Sequence, residues 1–278
     1  MTAAAVAFLG ASPAASGGDA IEFGILPTLS TRATLSTYQP LREYLEERLQ
    51  RPVTLITAPD FPTYIERTRR GVYSFLVTAP HFARLAQIES GYVPMVRVKR
   101  ELRGLLVVRE GSGIQTLADL RGKTISTPER LAIVTMLGLE LLRAHGLQPG
   151  RDVTVRPATS FTSAVLAVQN GESDAAITAP TALSQMPEQS RAGLRVIAST
   201  ASIPGTVYMA SPRVPPAEIE RMTRLLMDFS ADPTRGKTFF EHTGYEGLVR
   251  ATPEELRALD PYVAELKRRL AEDDGDKR

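Results

Sequence analysis

The sequence predicts an α/β protein of two lobes, each a mostly parallel sheet flanked by helices, with a ligand cleft between the lobes. Short apolar segments rich in β-branched residues alternate with amphipathic helical segments, which is typical of sheets covered on both faces. The alternation begins again near residue 103, so a second unit of the same kind follows the first. After residue 203 the chain is mainly helical, and we expect it to return to the first unit.

The first unit contains four predicted strands and three predicted helices. The strands are residues 21–25, 52–57, 75–78 and 95–98, and the helices are 40–50, 62–70 and 80–90. In the first of these helices Leu41, Leu45 and Leu49 recur at helical spacing and form one apolar face. Gly71 and Gly91 follow the other two helices, where a glycine commonly ends a helix.

The second unit repeats this alternation and sets the expected lobe boundaries. Its predicted strands are 105–108, 124–126, 153–155, 175–178 and 194–198, and its predicted helices are 128–145 and 162–170. A further strand is predicted at 206–210, after the second crossing near residue 203. Helices are then expected to begin near Pro216, Pro233 and Pro253, because proline suits the first turn of a helix. We expect lobe 1 to contain residues 20–102 and 204–278, and lobe 2 to contain residues 103–203.

Residues 1–19 have the order of a signal peptide. An apolar run at 3–11 is followed by Ser12-Pro13 and further small residues, as before a cleavage site. The run is shorter than the roughly 20 apolar residues that span a bilayer. No Lys or Arg precedes it, and a disordered alanine-rich tail is the alternative interpretation. The signal-peptide interpretation predicts export to the periplasm.

The composition excludes several classes of function. With 33 basic and 31 acidic residues among 278, the net charge of +2 gives no electrostatic footprint for nucleic acid. Cysteine is absent, so disulfides, thiolate metal sites and cysteine nucleophiles are excluded. The three histidines, His81, His145 and His242, are too widely spaced for a metal motif. No Gly-x-Ser-x-Gly motif is present, and we expect no catalytic residue, no metal and no cofactor.

Four segments of the chain together resemble a known family. They are Ala-Pro-Asp-Phe at 58–61, Phe-Leu-Val-Thr-Ala-Pro at 75–80, the segment 164–176, and Ile-Pro-Gly at 203–205. This series resembles the phosphate-, phosphite- and phosphonate-binding proteins of bacterial ABC importers, which are type II periplasmic binding proteins. The resemblance covers about residues 20 to 260. It implies a monomeric periplasmic protein that binds a small molecule between its lobes.

The pocket departs from that family more than the scaffold does. Phe61 and Thr78 stand where the family often has tyrosine, and Phe161 stands where its phosphonate-binding branch has histidine. The family's Ser-Thr-Ser-Gly loop corresponds to Ser126-Thr127 followed by Pro128-Glu129. Acidic residues of the family correspond to Ser74, Thr181 and Thr206. An aminoalkylphosphonate ligand is therefore not expected.

Hydroxyl-rich loops at the predicted carboxyl ends of strands form the candidate site. Free N–H groups at helix starts and nearby hydroxyls hold an anion without a cationic side chain. The same residue types are preferred helix N-caps, which is the alternative interpretation of each hydroxyl. The candidate ligand-binding residues are Thr28, Phe61, Thr78, His81, Ser126, Thr127, Arg130, Thr159, Ser160, Phe161, Thr206 and Tyr208.

We therefore expect a periplasmic solute-binding protein that binds a phosphonate-, phosphite- or phosphate-like oxyanion. Its expected partner is the membrane permease of an ABC importer. Two alternatives stay open. In the first, the protein is a ligand-sensing subunit for a membrane histidine kinase. In the second, its ligand is a small organic molecule, because Phe61, Phe161 and Tyr208 would make the cleft less polar.

Overall fold

A computed structural model describes residues 20–276, and the side chains of residues 20–272. The signal peptide predicted for residues 1–19 lies outside the described residues. The strands are β1 (Ile21–Ile25), β2 (Val53–Ile56), β3 (Phe75–Thr78), β4 (Val93–Val98), β5 (Leu105–Arg109), β6 (Thr124–Thr127), β7 (Thr154–Pro157), β8 (Ala175–Thr178), β9 (Leu194–Ser199), β10 (Val207–Ala210) and β11 (Leu248–Arg250). The helices are α1 (Thr31–Leu49), α2 (Phe61–Arg69), α3 (Pro80–Ser90), α4 (Ile133–Ala144), α5 (Phe161–Gln169), α6 (Pro180–Gln185), α7 (Glu188–Arg191), α8 (Pro216–Ala231), α9 (Arg235–Thr243) and α10 (Asp260–Asp276).

The strands form two sheets, and each sheet is the centre of one lobe. Lobe 1 is built on the order β11-β4-β10-β3-β1-β2, and lobe 2 on β7-β6-β8-β5-β9. Both sheets are mixed, which corrects the expectation that they are mostly parallel. In lobe 1 only β1 pairs in parallel, with β2 and β3, and in lobe 2 only β6 does, with β7 and β8.

The antiparallel pairs arise from the way in which the chain crosses between the lobes. It crosses at 99–104 and returns at 200–206, and we call these two segments the hinge ribbon. They run antiparallel, with Leu102 and Ile203 exchanging both backbone hydrogen bonds at 2.9 Å. The strands at each end of the ribbon continue this pairing, so β4 pairs with β10 in lobe 1 and β5 with β9 in lobe 2.

A glycine allows the two hinge segments to approach each other closely. A Cβ atom on Gly205 would collide with the carbonyl oxygen of Arg100 and lie 3.1 Å from that of Val98. Farther along the ribbon, the backbone N–H of Gly104 donates to the Thr200 hydroxyl at 2.9 Å. The Ile-Pro-Gly segment therefore has a steric role at the crossing.

Two helices begin at positions that the sequence pattern did not predict. Helix α1 begins nine residues before the expected start at Pro40, which lies inside the helix. Its N-cap is Ser30, whose hydroxyl accepts the N–H of Ala33 at 3.3 Å. Helix α4 begins at Ile133 instead of 128, because residues 128–132 form a turn in which the Glu129 carboxylate accepts the N–H of Leu131 at 2.7 Å.

The apolar core joins the two lobes. One cluster covers one face of the lobe 1 sheet and includes Tyr208 and Phe239. Another runs from the opposite face of that sheet, through Met209, into lobe 2 and helix α10. Because side chains alternate along a strand, Tyr208 and Met209 point to opposite faces of the sheet. The lobes thus share buried apolar surface in addition to the hinge ribbon.

Candidate functional site

A cavity of about 580 Å³ lies between the two lobes. Residues at or beside the starts of six helices line it, with α1, α2 and α3 on the side of lobe 1 and α4, α5 and α6 on the side of lobe 2. Residues of the hinge ribbon, among them Leu102 and Gly205, line it as well. Pointing helix N-termini into one space concentrates N–H groups and positive helix-dipole ends there.

Three of these helices begin after an alanine. The N-caps of α3, α4 and α6 are Ala79, Ala132 and Ala179, and none provides a side-chain oxygen to accept an N–H. All three alanines line the cavity. Alanine is a poor N-cap, and replacing Ser, Thr, Asp or Asn by alanine at such a position typically costs about 1 kcal/mol. The N–H groups in the first turns of these helices are therefore available to an acceptor in the cavity, except at Pro80 and Pro180, which begin α3 and α6 and have no N–H.

The other three helices at the cavity have conventional caps. Ser30, Asp60 and Ser160 accept the N–H three residues ahead in α1, α2 and α5. In α5 the Ser160 and Ser163 side chains complete a reciprocal capping box. The available donors are thus concentrated at α3, α4 and α6, because these caps already satisfy N–H groups of the other three helices.

The lobes are in contact on both sides of the cavity. On one side, Nε2 of His81 in α3 lies 2.9 Å from the carbonyl oxygen of Leu131, just before α4. On the other side, the Gln185 amide of α6 donates to the Thr243 carbonyl at 3.2 Å. The first contact brings the starts of α3 and α4 next to each other. An oxyanion at that junction would meet N–H groups from both lobes.

His81 is a neutral side chain. It is fully buried, and its ring stacks on that of Phe82 with the centroids 4.1 Å apart. Burial, together with the positive charge of Arg269, lowers the pKa of His81 to about 4 although the hydrogen bond to Leu131 opposes this shift. Since a carbonyl oxygen can only accept, Nε2 carries the proton. His81 therefore contributes a hydrogen bond between the lobes and no positive charge to the site.

Charged side chains are sparse on the cavity wall. Arg100 lines the cavity but forms an ion pair with Glu246 at 2.5 Å. Glu101 and Arg103 of the hinge ribbon also line it and are exposed to solvent. A ligand would therefore rely mainly on backbone N–H groups, hydroxyls and apolar contacts.

Two tyrosines at the cavity were not predicted from the sequence. Tyr38 of α1 and Tyr245 line it, and the Tyr245 hydroxyl lies 3.4 Å from that of Thr206. Burial raises the pKa of both phenols, so both stay protonated and can donate a hydrogen bond. Tyr38 was missed because the helix was expected to begin at Pro40, two residues later.

Seven of the twelve candidate residues line the cavity, and five do not. The seven are Thr28, Phe61, Thr78, His81, Ser160, Phe161 and Thr206. The five that lie elsewhere are Ser126, Thr127, Arg130, Thr159 and Tyr208. Each of these five side chains is buried within a lobe, bonded to another part of the chain or exposed to solvent.

Ser126 and Thr127 lie inside lobe 2, at the end of β6. The hydroxyl of Ser126 is buried and shares its one proton between the carbonyl oxygens of Ala164 and Ala175, which lie 2.6 and 3.1 Å away. Thr127 is also buried. Because Pro128 and the turn after it separate this strand from α4, the start of the helix at Ala132 and Ile133 reaches the cavity and the strand end does not.

The other three residues face away from the cavity. The Arg130 guanidinium donates to the backbone carbonyl of Arg269 in α10. Thr159 is exposed and shares a hydrogen bond with Ser163 at 3.2 Å. Tyr208 is fully buried on the face of the lobe 1 sheet opposite Met209.

An internal correspondence in the sequence would have located the start of α6. Thr78-Ala79-Pro80, which ends β3 and begins α3, recurs one hundred residues later as Thr178-Ala179-Pro180, which ends β8 and begins α6. Phe61 and Phe161 are related by the same interval and are the first residues of α2 and α5. The two lobes thus present corresponding helix starts to one cavity.

The described residues contain no group of three or more His, Cys, Asp or Glu side chains placed to hold a metal ion. Within the same part of the chain, no helix combines the length and the apolar character that crossing a membrane requires.

The fold and the cavity define a two-lobed α/β protein with a binding site between its lobes. Residues 23–256 match the family described as ABC transporter, phosphonate, periplasmic substrate-binding protein, and the chain belongs to this family. Its members are periplasmic binding proteins and not enzymes. The resemblance inferred from the sequence and the type II fold are thereby confirmed.

One protein that is similar to this chain in sequence is a sensor kinase. Over 235 residues the chain is 27% identical to the tetrathionate sensor histidine kinase TtrS of Salmonella typhimurium, covering 75% of this chain but only 39% of that protein. The chain therefore spans about two fifths of the length of that curated relative.

Two solved structures show the shared fold. PhnD1 of Prochlorococcus marinus in complex with methylphosphonate superposes with a TM-score of 0.80 at 10% identity, over 89% of this chain and 98% of that one. A binding protein component of an ABC phosphonate transporter from Pseudomonas aeruginosa gives a TM-score of 0.74 at 18% identity, over 92% and 99%.

Proposed function

We propose that the protein binds a small oxyanion of the phosphonate, phosphite or phosphate kind in the cavity between its lobes. The observation that carries this proposal is that the alanine N-caps of α3, α4 and α6 all line one cavity. An oxyanion would accept hydrogen bonds from the uncapped helix starts and interact favourably with the helix dipoles. The principal donors in this proposal are the backbone N–H groups of α3 from His81 onwards, because Pro80 has none, and those of α4 from Ile133 onwards.

The size of the cavity favours an oxyanion that carries an organic or extended group. Cavities of about 300–1,000 Å³ suit ligands larger than a bare tetrahedral anion, and this one measures about 580 Å³. Phe61 and Phe161 lie on its wall from opposite lobes. They would cover an apolar part of the ligand while the helix starts hold its charged group.

The role of a sensor is the second candidate. It is favoured by the 27% identity to a tetrathionate sensor kinase, which exceeds the identity to the two phosphonate-binding structures described above. In this alternative the ligand is a sulfur oxyanion such as tetrathionate, and the partner is a membrane histidine kinase instead of an importer permease. Both candidates use the same cavity.

A thermal-shift screen tests oxyanion binding directly. The purified protein is heated with phosphate, phosphite, methylphosphonate, propylphosphonate, sulfate and tetrathionate. A ligand that binds the folded state alone raises the melting temperature by mass action, by an amount that grows with its concentration. Absence of a shift with every one of these anions at millimolar concentration would contradict the proposal.

Two N-cap variants test where the anion binds. In Ala132→Asp, the new carboxylate would cap α4 and place a negative charge at the proposed site. We expect this variant to fold normally and to lose binding by about a hundredfold or more. Thr234→Asp is the matched control, because it places the same carboxylate at the N-cap of α9, a position that does not line the cavity; it should retain the wild-type affinity. Wild-type affinity in Ala132→Asp would refute this location.

Reconstitution distinguishes an importer component from a sensor component. The ligand-loaded protein is added to vesicles that contain either the permease–ATPase complex or the histidine kinase encoded near it. Stimulated ATP hydrolysis by the first supports import, and altered autophosphorylation of the second supports sensing.

A further inference from the structure

Helix α10 packs on lobe 1 and also makes hydrogen bonds to lobe 2. Ion pairs tie it to α3 of lobe 1, from Asp260 to Arg84 at 2.6 Å and from Lys267 to Glu89 at 2.8 Å. The Tyr262 hydroxyl donates to the Glu140 carboxylate of α4 at 2.7 Å. The helix therefore forms a connection between the lobes that is separate from the hinge ribbon.

Two further hydrogen bonds of α10 hold the segment that leads into α4. The buried Arg269 donates from Nη1 to the Arg130 carbonyl at 2.5 Å, and Arg130 donates in return to the Arg269 carbonyl. The next residue, Leu131, is fully buried and accepts the hydrogen bond from His81. Residues 130–131 are thus held between α10 on one side and α3 on the other.

This segment directly precedes the uncapped start of α4. Ala132, the N-cap, lines the cavity and follows Leu131 in the chain. Any movement of residues 130–131 therefore moves the first N–H groups of α4 relative to those of α3. Hydrogen bonds weaken steeply as their geometry departs from linear, so such a movement would weaken the binding of an anion between the two helix starts.

We propose that α10 is a positioning element of the binding site, in which Arg269 holds the segment before α4 against the start of α3 and Tyr262 holds α4 itself farther along, at Glu140. The inference rests on the proposed function, because it assigns the ligand to that junction. Neither residue lines the cavity, so both act through α4. Without their contacts the hinge ribbon would allow lobe 2 to rotate away from lobe 1. The apparent affinity for the anion would then fall in proportion to the fraction of molecules in which the starts of α3 and α4 are still next to each other.

The variants Tyr262→Phe and Arg269→Met remove the contacts between the lobes, and Arg269→Lys keeps a positive charge and a donor. The matched control is Arg268→Gln, because Arg268 is exposed and pairs with Glu265 and Glu272 of its own helix. We expect the two contact-removing variants to weaken binding of methylphosphonate and tetrathionate about 3- to 10-fold each. Arg269→Lys should recover part of the loss, and Arg268→Gln should bind like the wild type.

A distance measurement without ligand gives a second readout. The chain has no cysteine, so spin labels can be placed at Lys237→Cys in lobe 1 and Arg151→Cys in lobe 2, both exposed positions. Arg269→Met should broaden and lengthen the distance distribution between the labels, and Arg268→Gln should not.

The outcomes separate this inference from the proposed function. Wild-type affinity in Tyr262→Phe and Arg269→Met, with an oxyanion still binding to the wild type, would refute the role of α10 and leave the proposed function intact. If neither methylphosphonate nor tetrathionate binds to the wild type, the proposed function fails for these two anions. An unchanged label distance in Arg269→Met would then refute the positioning role independently.

Discussion

His81 and Leu131 form a hydrogen bond between the lobes, with Nε2 of the histidine 2.9 Å from the leucine carbonyl oxygen. The donor belongs to the first turn of α3 and the acceptor lies two residues before α4. Around this bond are the stacked ring of Phe82 and the charge of Arg269, which lies close enough to oppose protonation of the imidazole. The surroundings of this hydrogen bond therefore favour the neutral form of His81, and protonation of the ring at low pH would destabilise the contact.

We predict that acidification destabilises the protein through His81. Its pKa is lowered from 6.5 to about 4 in the folded state, so between these values the unfolded chain binds more protons than the folded one. Stability is therefore fully retained above pH 6.5 and falls as the pH decreases towards 4. At pH 5 the loss from this group should be about 2 kcal/mol, measured by denaturant unfolding at pH 7.5 and pH 5.

The control for this prediction is His81→Gln, whose amide can donate to Leu131 but does not titrate. The variant is expected to be less stable at both pH values, because it loses the stacking on Phe82. Its stability should nevertheless change less between pH 7.5 and pH 5 than that of the wild type. Equal changes in the two proteins would show that carboxylates, and not His81, cause the acid sensitivity.

We predict that Gly205→Ala disturbs the hinge ribbon. The added Cβ would meet the backbone carbonyls of Arg100 and Val98, which cannot move without shifting the opposite segment. Overpacking of this kind typically costs about 1–3 kcal/mol. Hydrogen exchange of the Leu102 and Ile203 amides should accelerate. Ser202→Ala, at an exposed position of the same ribbon where the change adds no atom, should leave these two amides unchanged.

We predict that Ser126→Ala lowers stability and leaves ligand affinity unchanged. The hydroxyl donates to carbonyls inside lobe 2 and does not line the cavity. Its loss leaves a buried carbonyl without that donor and should cost about 1–3 kcal/mol of unfolding free energy. Calorimetry and denaturant unfolding of the same preparation measure both quantities. Thr159→Ala, at an exposed position, should change neither; a large loss of affinity in Ser126→Ala would show that β6 reaches the ligand.

We predict that Phe161→Ala distinguishes bare oxyanions from larger ones. The half-buried ring lines the cavity and would cover an apolar part of the ligand. Affinity for propylphosphonate should fall roughly tenfold, since burial of an aromatic side chain is worth about 1.5–3 kcal/mol, while affinity for phosphite should change little. Phe161→Leu, which keeps an apolar cover, should retain most of the propylphosphonate affinity. Equal losses for both anions would contradict this role.

Local residue patterns determined the class of the protein. The alternation of apolar strands with amphipathic helices, and the segments at 58–61, 164–176 and 203–205, were sufficient to predict a two-lobed α/β binding protein. Most strand positions also followed from local apolar runs, because strand formation at these sites requires only neighbours a few residues away. The same local patterns located the Phe61 and Phe161 helix starts at the cavity.

Contacts between distant parts of the chain decided the rest. The mixed sheets follow from the antiparallel pairing of residues 99–104 with 200–206, about one hundred positions apart. The sequence by itself shows a serine and a threonine at 126–127, but only the tertiary structure buries them and presents Ala132 to the cavity. Likewise the hydrogen bonds of His81 to Leu131 and of Arg269 to Arg130 exist only because lobe 1, lobe 2 and helix α10 pack together at this point. Periodicity records which face of an element is buried, but not which other element buries it.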